Sequence, residues 1–178
     1  MSREKILRRR IACFTWLFVC GLVLSGATAI PVKSEVNWVV KITGAQQLIE
    51  KSSSAPAPVW LQWLVKVQTA LQSTSDRFPF LYYGTDWLAF AHFVIAIAFV
   101  GALWDPVRNV WLYTFGMTAC VLVVPYAMIF GAIRGIPVWW RLFDCLFGVF
   151  GFIPLWFCRR WVRQIEHGSP RNRAAHGF

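Results

Sequence analysis

His92, Tyr126, Arg141 and Asp144 have the most chemistry to offer, because each sits inside an otherwise apolar run. An imidazole exchanges protons near neutral pH, and a guanidinium clamps carboxylates and other anions. An ionisable side chain costs about 2.5–3.5 kcal/mol at the centre of a spanning helix, so each needs a partner or a role. Counted along helices that rise 1.5 Å per residue, His92, Tyr126 and Asp144 fall roughly 10 Å below one face of a membrane. Arg141 lies one turn above Asp144 at i,i+3 spacing. Tyr82, Tyr83, Asp86 and Arg134 form the outer rim above them. The sequence therefore predicts a polar intramembrane cluster, for ligand or for structure. On the functional reading it opens to the extracytoplasmic side, where His92 could exchange a proton or bind a ligand headgroup and Arg141 could hold an anionic group. The competing expectation is structural: Arg141–Asp144 and His92–Tyr126 bonds that lock a bundle.

Other chemistries find no residues to carry them. His92 is the only one of three histidines inside a span; His167 and His176 belong to the C-terminal tail. A haem held by two histidines of this chain is excluded on that count. No HExxH, glycine-rich phosphate loop or GxSxG is present. The five cysteines, Cys13, Cys20, Cys120, Cys145 and Cys158, all lie in apolar runs, and no two are spaced as CxxC. They read as buried, reduced thiols rather than disulfides or ligands. No catalytic residue, metal ligand or cofactor is expected.

The elements that position the cluster follow from the apolar runs. Residues 11–31, 86–104, 110–133 and 137–158 are each about long enough to cross a hydrocarbon layer of roughly 30 Å. At 57% hydrophobic and 15% charged, the chain is far from the composition of a soluble domain. The fold class expected is an all-α integral membrane protein, a bundle of four transmembrane helices. An extracytoplasmic loop at 32–85 carries an amphipathic interfacial helix at about 57–73, where Val59, Trp60, Trp63, Leu64, Val67 and Leu71 recur at helical spacing. Ser52, Ser53 and Ser54 read as its flexible lead-in. Residues 36–50 are mixed, β-rich around Val39, Val40 and Ile42 and helix-like after Ala45.

The net charge of +10 is not a nucleic-acid footprint. Arg3, Lys5, Arg8, Arg9 and Arg10 precede the first span; Arg159, Arg160, Arg163, Arg171 and Arg173 follow the last. Basic flanks orient spans with the positive side inward and attract anionic headgroups. Both termini, 1–10 and 159–178, are thus expected in the cytoplasm, with the spans in a bacterial-type inner membrane. Residues 11–31 read as a retained signal-anchor, although Ala27 and Ala29 also fit a signal cleavage site. Tryptophans mark the boundaries. Trp87, Trp139 and Trp140 fall at the outer one and Trp104, Trp111, Trp156 and Trp161 at the inner one, while Trp60 and Trp63 anchor the interfacial helix.

Helices in lipid associate through small residues, which points to Ala89, Ala91, Ala96, Ala98, Gly101 and Ala102 on the second span. Gly116, Ala119 and Cys120 do the same on the third, and Gly148 and Gly151 on the fourth. Pro125 and Pro154 should disturb their helices locally. The function expected is that of a non-enzymatic accessory or assembly component of an inner-membrane complex, with a membrane-protein partner or a second copy of itself. The alternatives are a small oligomeric transporter or channel, or a lipid- or quinone-modifying enzyme using the polar cluster.

Overall fold

The computed structural model describes residues 3–51 and 56–168; the serine lead-in, Arg171, Arg173 and His176 lie outside them. Among the described residues there is no strand. The order is α1 (Arg3–Ala29), α2 (Val32–Thr43), α3 (Ala45–Glu50), α4 (Val59–Arg77), a 3-10 turn (Pro79–Tyr82), α5 (Tyr83–Trp104), α6 (Val110–Ile133) and α7 (Val138–Gly168). Four helical stretches, Arg3–Ala29, Pro79–Trp104, Val110–Ile133 and Val138–His167, are long and apolar enough to cross a membrane. Large apolar side chains such as Leu24, Ile97, Ile133 and Phe150 stand fully outward from them, an arrangement that hydrocarbon tolerates and water does not. The protein is a multi-pass, all-α membrane protein with four spanning helices. Arg3, Arg8, Arg9 and Arg10 of the first flank and Arg159, Arg160 and Arg163 of the last are themselves helical. Arginine is a good helix former, and Glu4 pairs with Arg8 one turn later at 2.9 Å.

The chain divides into two compact units, one built from residues up to Leu22 and from Val94 onward, the other from Val23–Phe93. In the first, Ile11, Phe99, Tyr113, Leu155, Cys158 and Val162 form the centre of a buried apolar core. Close approach of the helices depends on glycine. A Cβ on Gly148 would lie 2.5 Å from the Cys120 carbonyl oxygen, and one on Gly116 would lie 2.7 Å from Leu155 Cδ1. Gly151 meets Cys120 and Phe18 in the same way. Ala96 and Ala102 are buried as well, whereas Ala91, Ala98 and Ala119 face outward and Gly101 has open space around it.

Two turns join the helices of this unit. Asp105 Oδ1 accepts from the Arg108 amide, and the Asn109 side chain donates to the Gly101 and Asp105 carbonyls at the end of α5. At the end of α6, Gly135 adopts φ +70, and the amides of Gly135 and Ile136 close onto the carbonyls of Ala132 and Gly131. That pairing is a Schellman stop, and its left-handed residue is glycine for steric reasons.

In the second unit, Val40, Ala45, Leu61 and Leu64 form a small core shared by α2, α3 and α4. The apolar stripe of α4 is therefore divided: Leu61, Leu64 and Val65 pack on α2 and α3, while Val59 and Trp60 remain exposed. Residues 32–43 are helical despite their β-branched content. Val36 and Val40 fall one turn apart on the face that meets α4, and that burial outweighs intrinsic propensity. Gly44 at φ +60 ends α2. A chain of amides crosses the unit: Gln46 donates to Gln68, and Gln68 donates to Asn37, each at 2.9 Å. Gly26 of α1 packs directly on Ala89, His92 and Phe93 of α5.

Candidate functional site

Each residue of the expected polar cluster finds its bonds close to home. His92 is half-buried, and its Nδ1–H donates to the Leu88 carbonyl, one turn back on α5, at 2.7 Å. Tyr126 is 65% exposed and lays its ring against Phe130, centroid to centroid 4.5 Å. Arg141 does not pair with Asp144. Its Nε donates to the Ile136 carbonyl at 2.8 Å and its Nη1 to the Met128 carbonyl at 3.3 Å, while its stem covers Gly131. The guanidinium thus ties α6 to the turn that precedes α7. The i,i+3 spacing allowed a pair with Asp144, but the Met128 and Ile136 carbonyls take up the fork.

Asp144 is the exception. It is half-buried, between Arg141 and Gly148 on the stripe of α7 that meets α6, and has no hydrogen-bond or ion-pair partner among the described residues. On the rim, the Tyr82 hydroxyl donates to the Leu71 carbonyl at 2.8 Å, Tyr83 packs edge-on against Trp87, and Asp86 and Arg134 are exposed.

The most enclosed polar group among the described residues was not among those expected. Thr15, Tyr113 and Cys158 are each 0% exposed. The Thr15 hydroxyl donates to the Ile11 carbonyl at 2.8 Å and accepts from the Tyr113 hydroxyl at 2.9 Å. Cys158 Sγ completes the group at 3.7 Å from both Thr15 Oγ1 and the Ile11 carbonyl oxygen. This knot joins α1, α6 and α7 near the ends of α1 and α7 that carry arginines. A depth count along each helix would have found it, since Thr15, Tyr113 and Cys158 share one level near the cytoplasmic ends expected from sequence. Sequence reasoning singled out charge, and a neutral threonine among leucines carries none. With both hydroxyls engaged and no opening to either, the knot fastens helices and offers no nucleophile.

Most of the tryptophans expected as anchors face outward. Trp104 is 83% exposed, and Trp60, Trp87, Trp111, Trp139 and Trp156 are exposed as well. Trp63, Trp140 and Trp161 are half-buried. Arg160 lies over the Trp156 ring and Lys66 over Trp63. The fold defines an all-α integral membrane protein. Searches of protein families, of curated proteins and of solved structures find no match for the chain.

Proposed function

We propose that this protein is a non-enzymatic accessory or assembly subunit of a larger complex in a bacterial-type inner membrane. The observation that carries the reading is Asp144. Its neighbour Arg141 is spent on the Ile136 and Met128 carbonyls, so a carboxyl within a spanning helix is left without a donor from its own chain. A group of this kind is held at low cost when an adjacent chain supplies the hydrogen bond or the cation. Both termini are assigned to the cytoplasm. The start of α1 and the end of α7 lie side by side, with the Arg10 guanidinium 6.0 Å from the Trp161 ring centre. Basic flanks favour that side of the membrane. The exposed indoles of Trp104, Trp111 and Trp156 mark the inner boundary in this topology, and Trp87 and Trp139 mark the outer one.

Blue-native electrophoresis of mildly solubilised membranes tests the reading. The chain should migrate in a complex of fixed stoichiometry. Asp144→Leu should reduce that complex at least tenfold, whereas Asp144→Asn, which still hydrogen-bonds, should retain most of it. A complex indifferent to Asp144→Leu would overturn the assembly role. Loss of solute flux in proteoliposomes on the same substitution, with assembly intact, would instead favour a transporter.

A further inference from the structure

The basic ends of α1 and α7 meet. Between them lies a crevice of about 430 Å³, lined by Arg3 and Arg10 of α1 and by Phe157, Arg160, Trp161 and Gln164 of α7. The spacing on both helices explains the shape. Arg3 and Arg10 are two turns apart on α1, as Phe157 and Gln164 are on α7, so each pair shares one helix face. Ile6 and Leu7 fill the interval on α1. Phe14 closes the membrane-ward end by packing edge-on against Trp161 at 5.1 Å and Phe157 at 5.9 Å.

The electrostatics of the crevice point one way. No carboxylate lines it. The nearest acid on α1, Glu4, is engaged by Arg8, and neither Arg3, Arg10 nor Arg160 has a carboxylate partner among the described residues. Arg10 and Arg160 instead lie over the faces of Trp161 and Trp156. Those contacts orient a guanidinium while leaving its N–H edge free to donate. A planar fork with free donors matches a phosphate in two-point fashion. The aromatic and aliphatic side of the same crevice matches an acyl chain.

We propose that this crevice binds one anionic phospholipid. The phosphodiester sits among Arg3, Arg10 and Arg160, and Gln164 donates its amide to the headgroup. Phe157, Trp161 and Ile6 receive the first part of a chain that continues into the bilayer. A free phosphate would use only the cationic half of the crevice and leave the aromatic half empty. This site is separate from Asp144 and does not depend on the assembly role.

Native mass spectrometry of the full-length protein, released from nanodiscs of equimolar phosphatidylglycerol and phosphatidylcholine, tests the assignment directly. The wild type should retain one phosphatidylglycerol, with at least tenfold preference over phosphatidylcholine. The triple variant Arg3→Gln, Arg10→Gln, Arg160→Gln should lose that retention at least tenfold, since each basic group beside an anionic surface adds to the attraction. A charge-matched control, Lys5→Gln, Arg9→Gln, Arg163→Gln, removes exposed basic groups outside the crevice and should change retention less than threefold. Equal loss in the control would reduce the effect to general surface attraction and overturn the site. Displacement of the lipid by millimolar inorganic phosphate would assign the crevice to a free anion and overturn the lipid. Absence of any retained lipid on the wild type would overturn the proposal without recourse to a variant.

Discussion

Adding one methyl group at Gly148 gives the sharpest test of how these helices are held. The new Cβ would stand 2.5 Å from the Cys120 carbonyl oxygen and 3.2 Å from Val123 Cγ1. Val123 can turn its methyl aside, but the carbonyl belongs to the backbone of α6 and cannot. Restoring ordinary contact distance requires α6 and α7 to part locally by roughly 1 Å. A gap of that size forfeits a quarter to a half of each attractive contact beside it, including those at Gly151 and Cys120. The expected cost of Gly148→Ala is about 1–3 kcal/mol, the range for overpacked cores. Gly101→Ala is the matched control. Nothing lies within 4 Å of a Cβ there, and alanine is the better helix former by up to about 1 kcal/mol. Titration of the micelle-solubilised protein with a denaturing detergent, followed by tryptophan fluorescence and far-UV circular dichroism, reads both. Gly148→Ala should unfold at lower denaturant than wild type, and Gly101→Ala at equal or higher. Equal behaviour of the two variants would refute the view that backbone contact, and not apolar bulk, sets the α6–α7 distance.

Further expectations use the same assay. Tyr113→Phe should cost only about 0.6 kcal/mol, because Thr15 keeps its bond to the Ile11 carbonyl. Thr15→Val should cost more, about 1–3 kcal/mol, because it leaves the buried Tyr113 hydroxyl without an acceptor; the reverse order would dismantle the knot as described. Arg141→Lys should destabilise by about 1–2 kcal/mol, since one ammonium cannot reproduce the fork that reaches both Met128 and Ile136. Gly44→Ala should cost about 1–2 kcal/mol through its left-handed backbone, and its thermal unfolding should leave the tryptophan signal of the spanning helices unchanged at first.

Four spanning helices were legible from sequence because hydrocarbon imposes a length. Asp105 and Asn109 are turn and cap residues by type, and the Asn109 side chain makes the bonds such a turn needs. Gly116, Gly148 and Gly151 were legible as contact positions, but Gly101 was expected among them and has open space around it, and Ala96 and Ala98 differ by two positions in sequence and by burial in the fold. The expected pairing of Arg141 with Asp144 failed because spacing on one helix says nothing about a competing acceptor on another. Met128 supplied that acceptor from across the Schellman turn. Val39, Val40 and Ile42 misled for a related reason: their preference for strands is weak beside the burial that α4 offers Val40. The Thr15 knot escaped because an uncharged hydroxyl between apolar neighbours stands out only when depth is compared across several helices. Its partners lie far along the chain.

That remoteness bears on how the protein is made. Thr15 lies on α1 and Cys158, 143 residues later, on α7. The fastening between them waits until α7 has been made. Throughout that interval the threonine hydroxyl is satisfied by Ile11 within its own helix, so the newborn segment can rest in lipid as an independent rod. Only the arrival of α7 then encloses it.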